Sequence, residues 1–162
     1  MDSICRFVTD DDKALEITPL RFVYETELKK FHQPLYTESF KFMVVSDGAA
    51  TLFYKGKTFS LVKGSLCFFE QRSTFHLNMD DRFRVIYLDF TSSGLNEYLK
   101  SKQAILENPV FYGQDFLLSF FTDAIKMVRN YNASAIMTSS ALYALSSIIF
   151  STKEDFLNGC NG

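Results

Sequence analysis

The sequence has no tryptophan, three cysteines, three prolines, two histidines and no excess of basic residues. Each shortage excludes a class of protein. Cys5, Cys67 and Cys160 are too few and too scattered for a disulfide framework or a thiolate zinc site. Cys67 lies in an apolar run and reads as a small buried hydrophobe. Barrel metalloenzymes bring two or three histidines and a carboxylate onto one ion, whereas His32 and His76 stand far apart with no histidine at ligand spacing. No metal, no other cofactor and no catalytic role is therefore expected. Nor is there a phosphate-binding glycine loop or a Gly-x-Ser-x-Gly elbow. With 17 Lys and Arg against 19 Asp and Glu, the chain lacks the electrostatic footprint of an independent nucleic-acid binder. The opening MDSICRFVTDDDK is acidic and has no long apolar segment, so it does not read as a signal peptide, and a reducing, cytoplasmic setting is expected.

What is present is phenylalanine, 18 residues of it, with 8 tyrosines, in a chain of 162. That length predicts one domain with a small helical appendage and can bury roughly 70% of the unfolded surface. LRFVYETEL (20–28) reads as a strand, and Pro34 breaks the next segment, KKFHQPLY. Turns then arrive at a steady beat near 47, 56, 64, 72 and 81, about eight residues apart. They separate the apolar runs 38–46, 49–55, 57–62, 65–69, 74–78 and 82–90. Asp47-Gly48 carries a two-residue hairpin signal. Short strands at this spacing predict an antiparallel sandwich or barrel over residues 1–91. Asp80-Asp81 and Asp10-Asp11-Asp12 read as solvated turns.

A small closed barrel can surround one ligand. If Lys41 faces solvent, then Phe40, Phe42 and Val44 face inward; Lys55 outward likewise sets Leu52 and Tyr54 inward. Phe68 joins this candidate lining. In RFRVIYLDF either the face of Arg82, Arg84, Ile86 and Leu88 or the face of Phe83, Val85, Tyr87 and Asp89 points in. An inward Arg84 would require an anionic or hydrogen-bonding partner. His76 reads as a structural residue, a group that touches a ligand at the mouth, or a lone metal ligand.

After Phe90 the pattern becomes helical: 92–102 with Ser92 or Ser93 as cap, then 114–132 and 133–151, with an extended piece at 108–113. These form a helical unit over 92–154, followed by an Asn/Gly-rich tail, 155–162. The uncharged stretch from Asn130 to Thr152 is long enough to span a bilayer, but its hydroxyls make it a buried helix instead. A helix apolar on nearly all sides needs two burial partners. The second is expected to be another copy of the chain, with Leu142, Leu145 and Ile149 as anchors of a homodimer.

The series FMVVSDGAATLFYKGKTFSLVKGSLCFFEQRSTFHL followed by FRVIYLDF resembles the N-terminal cupin-type sensor domain of AraC-family transcription regulators. The likeness rests on Asp47-Gly48, on Gly56 before Phe59-Ser60-Leu61, on Gly64 before LCFF, and on His76 ahead of Leu88-Asp89-Phe90. Ser65 departs from the usual acidic residue, and Glu70 stands where proline is common. The metal-binding histidine motif of enzymatic cupins is missing. The resemblance implies a mainly-β, cupin-like antiparallel barrel of jelly-roll type followed by two to three α-helices. It implies an effector-binding and dimerisation domain that reaches DNA only through a helix-turn-helix domain outside this chain. The effector would be a small, partly apolar carboxylate or lipid-like molecule, lined by Phe42, Val44, Leu52, Tyr54 and Phe68, with His76, Tyr54 or Arg84 at its polar end. Two alternatives stand beside it: a barrel filled by its own rings that answers to a protein partner or only dimerises, and a cupin enzyme with bound metal. No membrane partner is expected.

Overall fold

The computed structural model describes residues 5–8, 14–128 and 132–160, with side chains over 16–29, 31–128 and 132–149. Its strands are β1 (Cys5–Val8), β2 (Ala14–Glu25), β3 (Leu35–Thr37), β4 (Phe40–Asp47), β5 (Ala50–Tyr54), β6 (Lys57–Leu61), β7 (Leu66–Phe69), β8 (Ser73–Met79), β9 (Arg84–Ser93) and β10 (Val110–Phe111). The helices are α1 (Leu95–Lys100), α2 (Gln103–Glu107), α3 (Asp115–Met127) and α4 (Ala133–Cys160). The fold is mainly antiparallel β with helices after the barrel, the class expected. Two short helices precede the two long ones, one more than the two to three anticipated.

The strands form a six-stranded sheet, β1-β2-β9-β4-β7-β10, facing a four-stranded sheet, β3-β8-β5-β6. From β3 to β9 the chain changes sheet at most turns, which is how a jelly roll closes. Only one of the three glycine turns is a tight hairpin. Lys55 (φ 50°) and Gly56 (φ 75°) join β5 to β6 with Tyr54 opposite Lys57, a turn with both central residues left-handed. Asp47-Gly48, expected as a hairpin, is instead a corner: β4 pairs with β7 and β9, and β5 lies in the other sheet. The Asp80 turn is the matching corner, and the two lock together. The Asp80 carboxylate accepts the N–H of Ala49 at 2.9 Å and of Arg82 at 3.0 Å. Asp80 is thus a structural acceptor rather than only a solvated turn residue.

Apolar side chains lie on both faces of the six-stranded sheet. Met43, Val45, Cys67, Phe69, Val85 and Tyr87 face the barrel interior with Leu52, Tyr54, Leu61, Phe75 and Leu77 of the smaller sheet. Phe40, Phe42, Val44, Phe68, Ile86, Leu88 and Phe90 face the other way, onto the helices. The expectation that Phe40, Phe42 and Val44 line the barrel is therefore reversed. Lysine marks the solvent face only where that face is wet; here Lys41 points inward and is neutralised by Asp89. Burial of Cys67 pushes its thiol pKa up, as suits an inert core cysteine.

The N-terminal strand was not legible beyond Leu20. β2 begins at Ala14 and carries Pro19, which has no N–H to give; the register with β9 shifts between Pro19 and Arg21. β9 runs through Ser93, so neither Ser92 nor Ser93 caps the next helix; Gly94 (φ 85°) does. α4 packs Met137, Ala141, Ala144, Leu145 and Ile148 into the helix-facing core, and α3 packs beside it. Its hydroxyls are spent internally: Thr138 Oγ1 donates to the Ser134 carbonyl and Ser140 Oγ to that of Ile136, each at 2.8 Å. Sheet and α3 are thus its two burial partners. The backbone of α4 continues to Cys160, across residues expected to belong to the tail. No helix among the described residues is long and apolar enough to cross a membrane.

Gly48 and Gly56 offer a matched test. Both have positive φ, but a Cβ on Gly48 would lie 2.4 Å from the Phe83 nitrogen, and one on Gly56 meets nothing within 4 Å. Gly56→Ala is expected to cost only the left-handed backbone strain, about 1–2 kcal/mol. Gly48→Ala should cost clearly more in urea denaturation. Equal losses would contradict the locked corners.

Candidate functional site

The barrel is partly filled by its own rings. Phe69 and Phe75 stack at 4.0 Å, and Tyr54 packs edge-on against Phe69 at 5.1 Å. The Tyr54 hydroxyl accepts the Glu70 N–H at 3.1 Å and donates to Ser73 Oγ at 3.3 Å, and burial raises its pKa. Beside this cluster, at the same end, the two sheets part and leave a cavity of about 370 Å³. Leu28, Phe31, Leu35, Met43 and Phe75 give it apolar walls. Arg21, Lys41, Tyr87 and Asp89 supply one polar side, with Thr37 and Ser39 at the opposite strand.

Strand register builds the polar side. Asp89 of β9 is flanked by its partners Arg21 on β2 and Lys41 on β4. The three side chains form a row of alternating charge across adjacent strands, two cations about one anion. Lys41 Nζ donates to Asp89 Oδ1 at 2.7 Å, with the two side chains only 12% and 13% exposed. The ammonium also lies 3.9 Å from the centre of the Tyr87 ring, a cation–π contact. Arg21 donates to the Tyr87 hydroxyl. Burial lowers the pKa of Lys41, and Asp89 opposes that shift; burial raises the pKa of Tyr87. Two further carboxylates have partners of their own: Glu25 accepts the Glu27 N–H, and Glu38, which also lines the cavity, is held by Tyr36 and Arg72. The arrangement offers a cationic end and an apolar body, the chemistry of a site for a small amphipathic anion.

The residues singled out from the sequence do not converge here. Leu52 and Tyr54 lie in the barrel interior, as expected, but outside the cavity lining. Phe42, Val44 and Phe68 pack against the helices. His76 is exposed on the outer face of the smaller sheet, edge-on to Phe53 at 5.6 Å. Arg84 sits at the other end of the barrel, 3.5 Å from Asp47 and half exposed. Leu145 is 1% exposed within the chain's own core, whereas Leu142 and Ile149 are partly buried and pack against that core. The site residues that sequence reasoning missed are Arg21, Lys41 and Asp89. One signal was available: each is a charge set between two apolar neighbours in a strand, Leu20 and Phe22, Phe40 and Phe42, Leu88 and Phe90, and the charges include both signs. Among the described residues, no cluster of three or more His, Cys, Asp or Glu is placed to hold a metal ion.

No family model and no curated protein matches the chain. Among solved structures it is similar to an AraC-like transcriptional activator, CuxR, at 15% identity and TM-score 0.49, covering 80% of this chain and 49% of that one. It is also similar to a putative ethanolamine utilization protein of Salmonella typhimurium, at 16% identity and TM-score 0.33, covering 54% of this chain and 67% of that one. A cupin superfamily protein of Desulfitobacterium hafniense is similar at 9% identity and TM-score 0.32, covering 55% of this chain and 78% of that one. The chain thus spans about half the length of the activator.

Asp89→Asn would leave the largely buried Lys41 ammonium without its counter-charge. The expected loss at neutral pH is about 2–3 kcal/mol, below that of a fully enclosed pair. The pH dependence follows from the direction of the Lys41 shift. Its folded pKa lies below the unfolded value, so as pH rises the folded chain releases the proton first. Unfolded chains then bind more protons, and stability rises with pH in that alkaline window. Without Asp89 the window widens. The deficit of the variant, measured by chemical denaturation, should therefore narrow between neutral pH and pH 10; a deficit independent of pH would contradict the pairing.

Proposed function

We propose that this chain is an effector-binding and dimerisation domain of AraC type, controlling a DNA-binding domain that lies outside it. The observation that carries the reading is the mouth cavity, where two cations flank one largely buried carboxylate above apolar walls. A small carboxylate with an apolar body fits that chemistry: its charge completes the row, and its body covers Leu28, Leu35 and Met43. Arg84, expected from the sequence at the polar end, gives way to Lys41. Regulation then requires only that the ligand bind one arrangement of the helices more tightly than another. Octanoate and benzoate are expected to raise the melting temperature of the domain. Lys41→Met should abolish that rise, and octanol should not produce it. A rise that survives Lys41→Met would place the ligand elsewhere.

For dimerisation, the proposed surface moves from Leu142, Leu145 and Ile149 to the outer stripe of α3. Phe116 is 84% exposed, and Phe120, Asp123 and Met127 continue the same stripe. Phe120 stacks on Tyr143 of α4 at 4.8 Å, which widens the apolar strip. A two-fold axis near Phe120 would set α3 antiparallel to its copy and bring Asp115 of one beside Lys126 of the other, a self-complementary contact. The double variant Phe116→Ser, Phe120→Ser is expected to be a folded monomer by light scattering, whereas Leu145→Lys should unfold the chain. A folded dimer in the serine variant would contradict this surface. The packed Tyr54–Phe69–Phe75 cluster favours a second reading, a self-filled barrel that only dimerises. Loss of every carboxylate response with the dimer intact would select it.

A further inference from the structure

We propose that the mouth operates by ion-pair exchange: an entering anion takes Lys41 from Asp89, Asp89 turns to Arg21, and the displacement reaches the helices through β4 and β9. The inference rests on the reading of the mouth as the effector site. It begins with the strand register. Arg21, Asp89 and Lys41 are direct cross-strand neighbours. Opposed side chains on adjacent strands have Cβ atoms about 4.5–5.5 Å apart, so Asp89 has a cation within reach on either side. It is joined to Lys41, while Arg21 donates to the Tyr87 hydroxyl. A second carboxylate at Lys41 therefore need not strand Asp89 as an unpaired, desolvated charge. Arg21, at an exposed position, can receive it.

What lies behind the row gives the exchange a readout. Lys41 stands between Phe40 and Phe42, and Asp89 between Leu88 and Phe90, with alternate residues on opposite faces. Those residues form the aromatic platform under the helices. Phe90 stacks on Phe40 at 5.5 Å and on Phe42 at 5.3 Å, and Ala141, Ala144 and Leu145 of α4 belong to the same core. The charged row and the platform are two faces of the same strands. A close-packed interior passes a strand displacement on rather than absorbing it. Asp89 also supplies the differential affinity that regulation needs, because the ligand can hold Lys41 only in the arrangement where Asp89 has left it.

The test tracks the backbone amides of the isotopically labelled chain during titration with octanoate, with octanol as the uncharged match. Octanoate should shift the amides of Lys41 and Asp89 together with those of Ala141 and Ala144, and octanol should not. Asp89→Asn removes the competitor, so octanoate should bind at least about five-fold tighter, with the response in α4 lost. Arg21→Met, at the exposed end of the row, removes the acceptor for Asp89 and should weaken octanoate by a similar factor. It also serves if the Asp89 variant does not fold. Octanoate shifts confined to the mouth, or unchanged affinity in Arg21→Met, would overturn the exchange and leave the effector site standing. An absence of octanoate binding by the unaltered chain would remove the site and the exchange together.

Discussion

The six-stranded sheet must be covered on both faces, and the rest of the molecule derives from that requirement. Its central strands β9, β4 and β7 carry unbroken apolar runs, such as FMVV and LCFF, with no polar face to offer water. One face is closed by the smaller sheet, which creates the barrel. The other is closed by α1 to α4, which ties the helical segment to the strands in one continuous core. Without the second cover, Phe40, Phe42, Phe68 and Phe90 would form a bare aromatic patch. A fully buried Phe of this kind contributes roughly 1.5–3 kcal/mol, so the helices are a structural necessity before they are anything else.

Two-sided burial also explains where charge can stand. Few positions on such a sheet tolerate an ionised group. Arg84 and Asp47 pair at one end of it, and at the mouth Lys41 and Asp89 neutralise each other while Tyr87 presents its ring to the ammonium. Removing both charges together could leave the fold intact, since a buried pair is weak evidence for stability. It stands at the edge of a cavity whose other walls, Leu28, Phe31, Leu35, Met43 and Phe75, are apolar. The same two strands carry the pair on one face and the helix platform on the other, so the two share a backbone.

Much of this architecture was legible in the sequence. The turn beat marked β4 to β9 to within a few residues, because polar residues, with glycine or aspartate at most reversals, interrupt the apolar runs where the chain turns. The nature of each reversal was not: Lys55-Gly56 and Asp47-Gly48 look alike as dipeptides, yet one closes a hairpin and the other passes between sheets. Only the long-range pairing of β4 with β7 and β9 separates them. Side-chain facing failed at Lys41 for a related reason. Period-two alternation assigns a face only when one side is polar, and in FKFMVV both sides are buried. The candidate site was lost through that single inversion, since Arg21, Lys41 and Asp89 meet only in the register of three strands far apart in the chain. His76 stood out by rarity, and rarity carries no geometry.

The orientation of Lys41 is the point on which both the fold and the site turn, and nuclear Overhauser contacts in solution measure it directly. With the ammonium seated over Tyr87, the Lys41 side-chain methylenes should be shifted upfield by the ring and show strong contacts to Tyr87, while the Phe42 ring contacts protons of the helix-facing core such as those of Leu145. The reverse pattern, with Phe42 against Tyr87 and Lys41 in solvent, would put the barrel inside out and remove the mouth site with it.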